Sequence, residues 1–211
     1  MKNILIAGAG GLGREVLQII KDINSISPQW HIKGFLDDGI KSLKGLAGDI
    51  DIIGRIDDWI VKENEVFVCA IFDPFGRRMV VEKLKNKGAQ FVNIIHPKAA
   101  ISDFSIIGEG VIMYRSSALS VNSKIGDFTI ILDSGIGHDA LIGNYTSIAS
   151  CCAIGGNVTI GDNVLVGSGA VVMPNKKIGD NSSIGTGSVV VRNVKSNTSV
   201  FGNPAKKMQF A

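Results

Sequence analysis

From Ile101 onward, aliphatic residues return at every sixth position: Ile101, Ile107, Met113, Leu119, Ile125 and Ile131, then Ile136, Ile142, Ile148, Ile154, Ile160, Val166, Val172, Ile178, Ile184 and Val190. Glycine follows them at 108, 126, 137, 143, 155, 161, 167, 179 and 185, so the unit is aliphatic-Gly-x-x-x-x. Six is neither the period of a helix nor the alternation of a long strand. It predicts one short strand and one corner per unit, three units closing a triangular turn of about 18 residues. The aliphatic side chain of each unit then points to the axis, and about five stacked turns share one apolar interior. Spacing alone leaves the hand of the coil open. One step is short: Ile131 to Ile136 runs through Leu132-Asp133-Ser134-Gly135, immediately before His138. A missing residue shifts the register locally and can re-aim a side chain.

The first 96 residues follow a different rhythm. Residues 3–7 read as a buried strand, followed by a glycine turn and a helix in which Val16, Leu17, Ile20 and Ile23 fall at helical spacing. Further strands are expected at 32–36, 50–53, 66–70 and 90–94, with a helix from Arg77 to Lys87. This is a small parallel α/β sheet over 1–96, followed by the solenoid over 97–211. Gly8-Ala9-Gly10-Gly11-Leu12-Gly13 has the GxGxxG form, which lets backbone approach a phosphate at the positive end of a helix. The second strand ends in Asp37-Asp38, where a carboxylate can accept hydrogen bonds from a ribose or a base edge. The alternatives are that the glycines only pack helix on strand and that Asp37 only shapes a turn. About five strands make little more than half of a doubly wound fold, so a mononucleotide or nucleotide-sugar fits better than NAD.

Composition narrows the partners. Most of the 26 glycines lie in the repeat, and 6% aromatic residues suit a coil with small corners, while 45% hydrophobic residues exclude disorder. A net charge of +3 without a basic stripe argues against nucleic acid and for a small-molecule partner. No apolar run reaches the roughly 18 residues of a membrane span, and Met1-Lys2 leads directly into a strand without a signal-peptide core. A cytoplasmic protein is expected. Three cysteines, Cys69, Cys151 and Cys152, form neither a disulfide framework nor a zinc-spaced set and read as small buried residues, with no metal site.

Of three histidines, His31 begins a strand and His96 sits in an Ile95-His96-Pro97 junction, which are structural places. His138 lies at an outward position of the repeat, is followed by Asp139, and has Asp133 one short unit before it. An imidazole there can take a proton from an attacking amine or hydroxyl. Neighbours on a strand point to opposite faces, so Asp139 orients His138 only if the corner bends the chain between them. Acyl transfer also needs donors for an oxyanion, and Gly155-Gly156-Asn157 offers unobstructed backbone N–H groups. No second histidine lies near Cys151 or Cys152 in sequence, which favours direct transfer over a cysteine acyl-enzyme.

Taken together, GAGGLG (8–13), GFLDD (34–38), the IHP junction, GHDALIG (137–143), GGNVTIG (155–161) and FGNPAK (201–206) resemble one family. It is the sugar O- and N-acetyltransferase family of the sialic acid O-acetyltransferase (NeuD) and bacillosamine-pathway UDP-amino-sugar N-acetyltransferase (PglD) type, within the hexapeptide-repeat acyltransferases. The resemblance covers nearly the whole chain. It implies a left-handed parallel β-helix after a Rossmann-like domain, a homotrimer with each active site between adjacent β-helices, and acetyl-CoA as co-substrate. By position it makes His138 the general base, Asp139 its acidic modulator and the Gly156 amide a contact to the acetyl group. It places Ser147, Gly156, Ser168 and Thr186 against CoA, and Gly8, Gly10, Gly11, Leu12, Gly13, Asp37 and Asp38 against a nucleotide-sugar. Departures are Leu12 and Ser147, where the UDP-sugar enzyme has a polar residue and a second histidine, and the short turn before His138. Lys206 and Lys207 are either CoA-phosphate contacts or a solvated pair. The implied activity is acetyl transfer to an amino group of a nucleotide-linked sugar for polysaccharide biosynthesis. The alternatives are O-acetylation of sialic acid or another sugar, and a non-catalytic nucleotide-sensing trimeric scaffold.

Overall fold

The computed structural model describes residues 1–39 and 41–208, and the chain divides into two compact units after Pro97. The first holds four parallel strands, β1 (Lys2–Ala7), β2 (Trp30–Leu36), β3 (Ile52–Gly54) and β4 (Glu65–Cys69), in the order β3-β2-β1-β4. Helices α1 (Gly11–Ile26) and α2 (Pro74–Lys85) follow β1 and β4. β1 is a continuous apolar run because it is central: Ile4, Leu5 and Ile6 are fully buried. α1 buries Val16, Leu17, Ile20 and Ile23, as the periodicity predicts, and Ile19 with them.

Two expectations for this unit change. The strand expected at 90–94 is no fifth member of the sheet: of these residues only Phe91 pairs with it, in a single bridge to Phe67, so that ladder stops after one residue. α2 starts earlier than the apolar spacing suggests, because Asp73 accepts the Gly76 N–H at 2.6 Å and Pro74 takes the first helical turn, where its missing N–H costs nothing.

The second unit is a triangular parallel solenoid. Each of the sixteen aliphatic positions is the second residue of a two-residue strand. The first face stacks Ile106–Ile107, Lys124–Ile125, Leu141–Ile142, Thr159–Ile160 and Lys177–Ile178. The second face stacks Ile112–Met113, Ile130–Ile131, Ser147–Ile148, Leu165–Val166 and Ser183–Ile184. The third stacks Ala100–Ile101, Ala118–Leu119, Gly135–Ile136, Ala153–Ile154, Val171–Val172 and Val189–Val190. Rungs pair 18 residues apart, as Ile148 with Val166, except across the short step, where Ile131 pairs with Ile148 and Leu119 with Ile136. Most corners turn through one residue with positive φ, the corner between Met113 and Ala118 being an exception. That series also shortens by one, from Phe128 (φ 55) to Asp133 (φ 42), and then resumes at Asp139 (φ 57). No helix among the described residues is long and apolar enough to cross a membrane.

Candidate active site

His138 stands on the corner that leads from the third face to the first, just after Gly135–Ile136. The positive φ of Asp139 bends the chain there, so two neighbours that would diverge on a strand converge: His138 Nδ1 lies 2.7 Å from Asp139 Oδ2. The other oxygen of Asp139 accepts Asn122 Nδ2 at 3.1 Å from the preceding coil. The His138 hydrogen bond, followed by that of Asn122, holds the Asp139 carboxyl below its usual range, so it is an anion at neutral pH. An anion at Nδ1 assigns the imidazole proton to that nitrogen and leaves the Nε2 lone pair open. The Asp139 N–H donates to Val121 O (3.0 Å) and His138 O accepts Asn157 N–H (2.8 Å), tying the corner to both adjacent coils.

Gly156 lies one coil further on, against the ring. A Cβ on Gly156 would sit 2.5 Å from His138 Nε2 and 2.7 Å from Cε1, so only glycine leaves room for the imidazole. Its N–H makes no hydrogen bond among the described residues. The imidazole Nε2 and an open backbone donor are thus side by side. Ser168 and Thr186 stack on the corner between the second and third faces, the opposite edge of the face that ends at His138. Between these edges the third face carries small outward residues, Ala118, Gly135 and Ala153, which floor a shallow depression of about 440 Å³. Ser147 departs from expectation: it is fully buried on the second face, paired with Ile130 and Leu165, and offers a coenzyme no surface. Asp133 is also elsewhere, accepting Ser116 N–H at 3.0 Å on the previous corner. Lys206 and Lys207 are exposed and line a pocket of about 480 Å³ with Arg192 and Lys195.

In the first unit Gly8, Gly10, Gly11, Leu12, Asp37 and Asp38 line a pocket of about 480 Å³, closed by Ile56, Ala70, Ile71, Phe72 and Val80. Gly10 and Gly11 have open space where a side chain would stand, and the first turn of α1 carries no acidic residue, so its positive end is free for an anion. Gly13 serves packing instead: a Cβ there would meet Gly8 O at 2.1 Å, and the residue does not line the pocket. Asp37 braces the loop, its two carboxylate oxygens accepting Ala9 N–H (2.8 Å) and Gly39 N–H (2.9 Å). Asp38 accepts Asp57 N–H at 3.2 Å and lies 3.7 Å from Arg55. Buried Arg77 donates to Ile71 O and Phe72 O, fixing the far wall.

His96 is buried with Nε2 3.1 Å from Asp22, a structural role, whereas His31 is exposed. Cys69 and Cys152 are buried, and burial pushes the Cys69 thiol up to about 12. Cys151 is exposed at a corner, against the expectation of three buried cysteines, because positive φ (62) puts it at the turning residue. Among the described residues no group of His, Cys, Asp and Glu is arranged to hold a metal. Sequence reading missed Asn122. The signal was available, since counting one coil back from Asp139 across the short step lands on it.

A histidine–carboxylate pair thus stands on a corner of a hexapeptide solenoid, in a chain that also carries a glycine-loop α/β unit. Residues 3–84 match the PglD N-terminal domain family and residues 89–190 the GMPPB C-terminal domain family. Residues 98–211 have the fold of a left-handed β-helix acyltransferase. It is 31% identical to the GDP-perosamine N-acetyltransferase of Escherichia coli O157:H7 over 68% of this chain and 66% of that one. It is 28% identical to the UDP-N-acetylbacillosamine N-acetyltransferase of Bacillus subtilis over 54% of this chain and 51% of that one. The sequence matches therefore span about half to two thirds of these relatives. A perosamine N-acetyltransferase variant from Caulobacter crescentus, solved with CoA and GDP-perosamine, superposes with a TM-score of 0.89 at 26% identity, covering 100% of this chain and 98% of that one. The acetyltransferase domain of PglB from Neisseria gonorrhoeae gives 0.90 at 25% identity, over 99% and 100%.

Proposed function

We propose that the chain is a cytoplasmic acetyltransferase that moves the acetyl group of acetyl-CoA to an amino group of a nucleotide-linked sugar. The observation that carries this is His138, oriented by Asp139 at 2.7 Å, with its Nε2 beside the open amide of Gly156. The sugar amine attacks the thioester carbonyl while Nε2 takes the amine proton, and the Gly156 N–H faces the oxyanion. Collapse breaks the C–S bond, and the thiolate leaves with the proton from the imidazolium, yielding amide and CoA. Asp139 stays ionised throughout and stabilises that imidazolium.

In this reading CoA lies along the third face, with Ser168 and Thr186 at its near edge, and residues 97–211 form the acyltransferase domain. Residues 1–96 are the nucleotide-sugar domain: Gly10 and Gly11 meet the diphosphate, Leu12 and Asp38 line the base and ribose end, and Gly8, Gly13 and Asp37 shape the loop. The acceptor assignment is supported by the relatives, whose names carry GDP-perosamine and UDP-N-acetylbacillosamine. A homotrimer is supported by Phe104, Ile106, Val121 and Leu141, apolar side chains exposed beside the His138 corner.

Thiol release with acetyl-CoA and a panel of GDP-perosamine, UDP-linked amino sugars and free sialic acid tests the assignment. Turnover of the amino sugars alone is expected; turnover of free sialic acid alone makes the enzyme an O-acetyltransferase. His138→Ala is expected to lose ~10²–10⁴ in kcat while remaining trimeric, and an unchanged rate removes the base from His138.

A further inference from the structure

Four corners that leave the first face share one device for sealing the turn. At each, the N–H of the first turn residue is capped by a side chain of the next coil: Glu109 by Asp127 (2.9 Å), Asp127 by Asn144 (2.8 Å), Asn144 by Asp162 (2.7 Å) and Asp162 by Asp180 (2.9 Å). The packing of the preceding glycine marks the same register, since a Cβ on Gly161 would meet Asp180 and one on Gly155 would meet Pro174. Pro174 therefore stands over Gly156 where Asp180 stands over Asp162. Its ring has no acceptor to offer.

We infer that Pro174 is a positioning residue for acyl transfer: by occupying the capping place without an acceptor, it keeps the Gly156 amide open for the oxyanion. An Asp there would accept that N–H, as its first-face counterparts do, and would set a carboxylate beside developing negative charge. The inference rests on the acyltransferase reading for its consequence, but the open amide can be tested without it. Aspartate is the native residue at two consecutive places of the neighbouring ladder, Asp162 and Asp180, so the exchange suits the turn.

The experiment compares Pro174→Asp, Pro174→Asn and Pro174→Ala in the full chain, with melting temperature as the check on folding. Hydrogen exchange, followed by mass spectrometry on peptides containing Gly156, reads the cap directly and needs no acceptor. The Asp and Asn variants are expected to slow exchange there at least tenfold relative to Pro174→Ala. In thiol release with the acceptor that the wild type uses, both are expected to fall at least ~30-fold in kcat below Pro174→Ala, with the KM for acetyl-CoA within threefold. Equal exchange in all three variants overturns the inference. Slowed exchange with equal kcat also overturns it, by showing that the amide serves no oxyanion. A wild type inactive on every acceptor defeats the acyltransferase reading instead, and the exchange result still decides whether Pro174 keeps the amide open.

Discussion

Adding a single methyl group at Gly156 tests the site geometry with little disturbance of the fold. The φ of Gly156 lies outside the left-handed region, so alanine is tolerated by the backbone. Its Cβ, however, would stand 2.5 Å from His138 Nε2 and 2.7 Å from Cε1. Ordinary contact lies near 3.5 Å, so the ring must retreat by roughly 1 Å. The ring is tied through Nδ1 to Asp139, which is itself tied to Asn122, so retreat means stretching or breaking the 2.7 Å hydrogen bond. Displacement of a reacting group by this much costs ~10²-fold in rate, whereas Gly→Ala at a compatible backbone position changes stability by less than about 1 kcal/mol. Gly156→Ala should therefore lose ~10² in kcat in a thiol-release assay, with melting shifted by only a few degrees. A kcat within threefold of wild type would refute the placement of His138 Nε2 beside Gly156 as the reacting geometry.

Asp139→Asn keeps the shape but removes the anion that orients and stabilises imidazolium; kcat should fall at least ~10-fold with both KM values little changed. Because the His138 and Asn122 bonds hold the Asp139 carboxyl down, the wild-type site keeps this anion until the pH falls below the usual carboxylate range, and a carboxyl titration followed by NMR checks it. Asp37→Asn puts an amide NH₂ against Ala9 N–H or Gly39 N–H and loosens the glycine loop, so the KM for the nucleotide-sugar should rise about tenfold while that for acetyl-CoA stays the same. Burial pushes the Glu65 carboxyl up, but bonds from Lys33 Nζ, Trp59 Nε1 and Lys62 N–H outweigh it and bring it below its usual value. Its folded pKa is depressed, so its contribution is present above the unfolded value and lost as pH falls through the folded one. Glu65→Gln should accordingly cost about 1.5–3 kcal/mol in urea unfolding at pH 7 and progressively less in acid.

The repeat made much of the second unit legible. Axis-facing side chains must be apolar, and corners recur at a fixed interval, so each predicted aliphatic position became the second residue of a rung, buried in every case but Ile101 and Ile107. The first unit was legible in its glycine turn and first helix, where local chemistry decides. It was less legible at Phe91, whose apolar neighbours read as a fifth strand although one bridge is all that joins it to the sheet, because pairing depends on where the chain lies and not on its own composition. Ser147 shows the same limit: a serine before Ile148 looks like the outward serines elsewhere, yet it is fully buried.

By itself the sequence determined the solenoid period, its single short step, the α/β unit ahead of it and the candidacy of His138, since these rest on spacing and residue type. The tertiary structure alone decided that Asp139 meets His138, that Asn122 completes the chain of hydrogen bonds, and that Gly156 lies bare against the ring. Those depend on the sign of one φ and on residues that stack across coils 17 or 18 apart; the period makes such partners countable, but only the folded coil fixes whether their side chains meet.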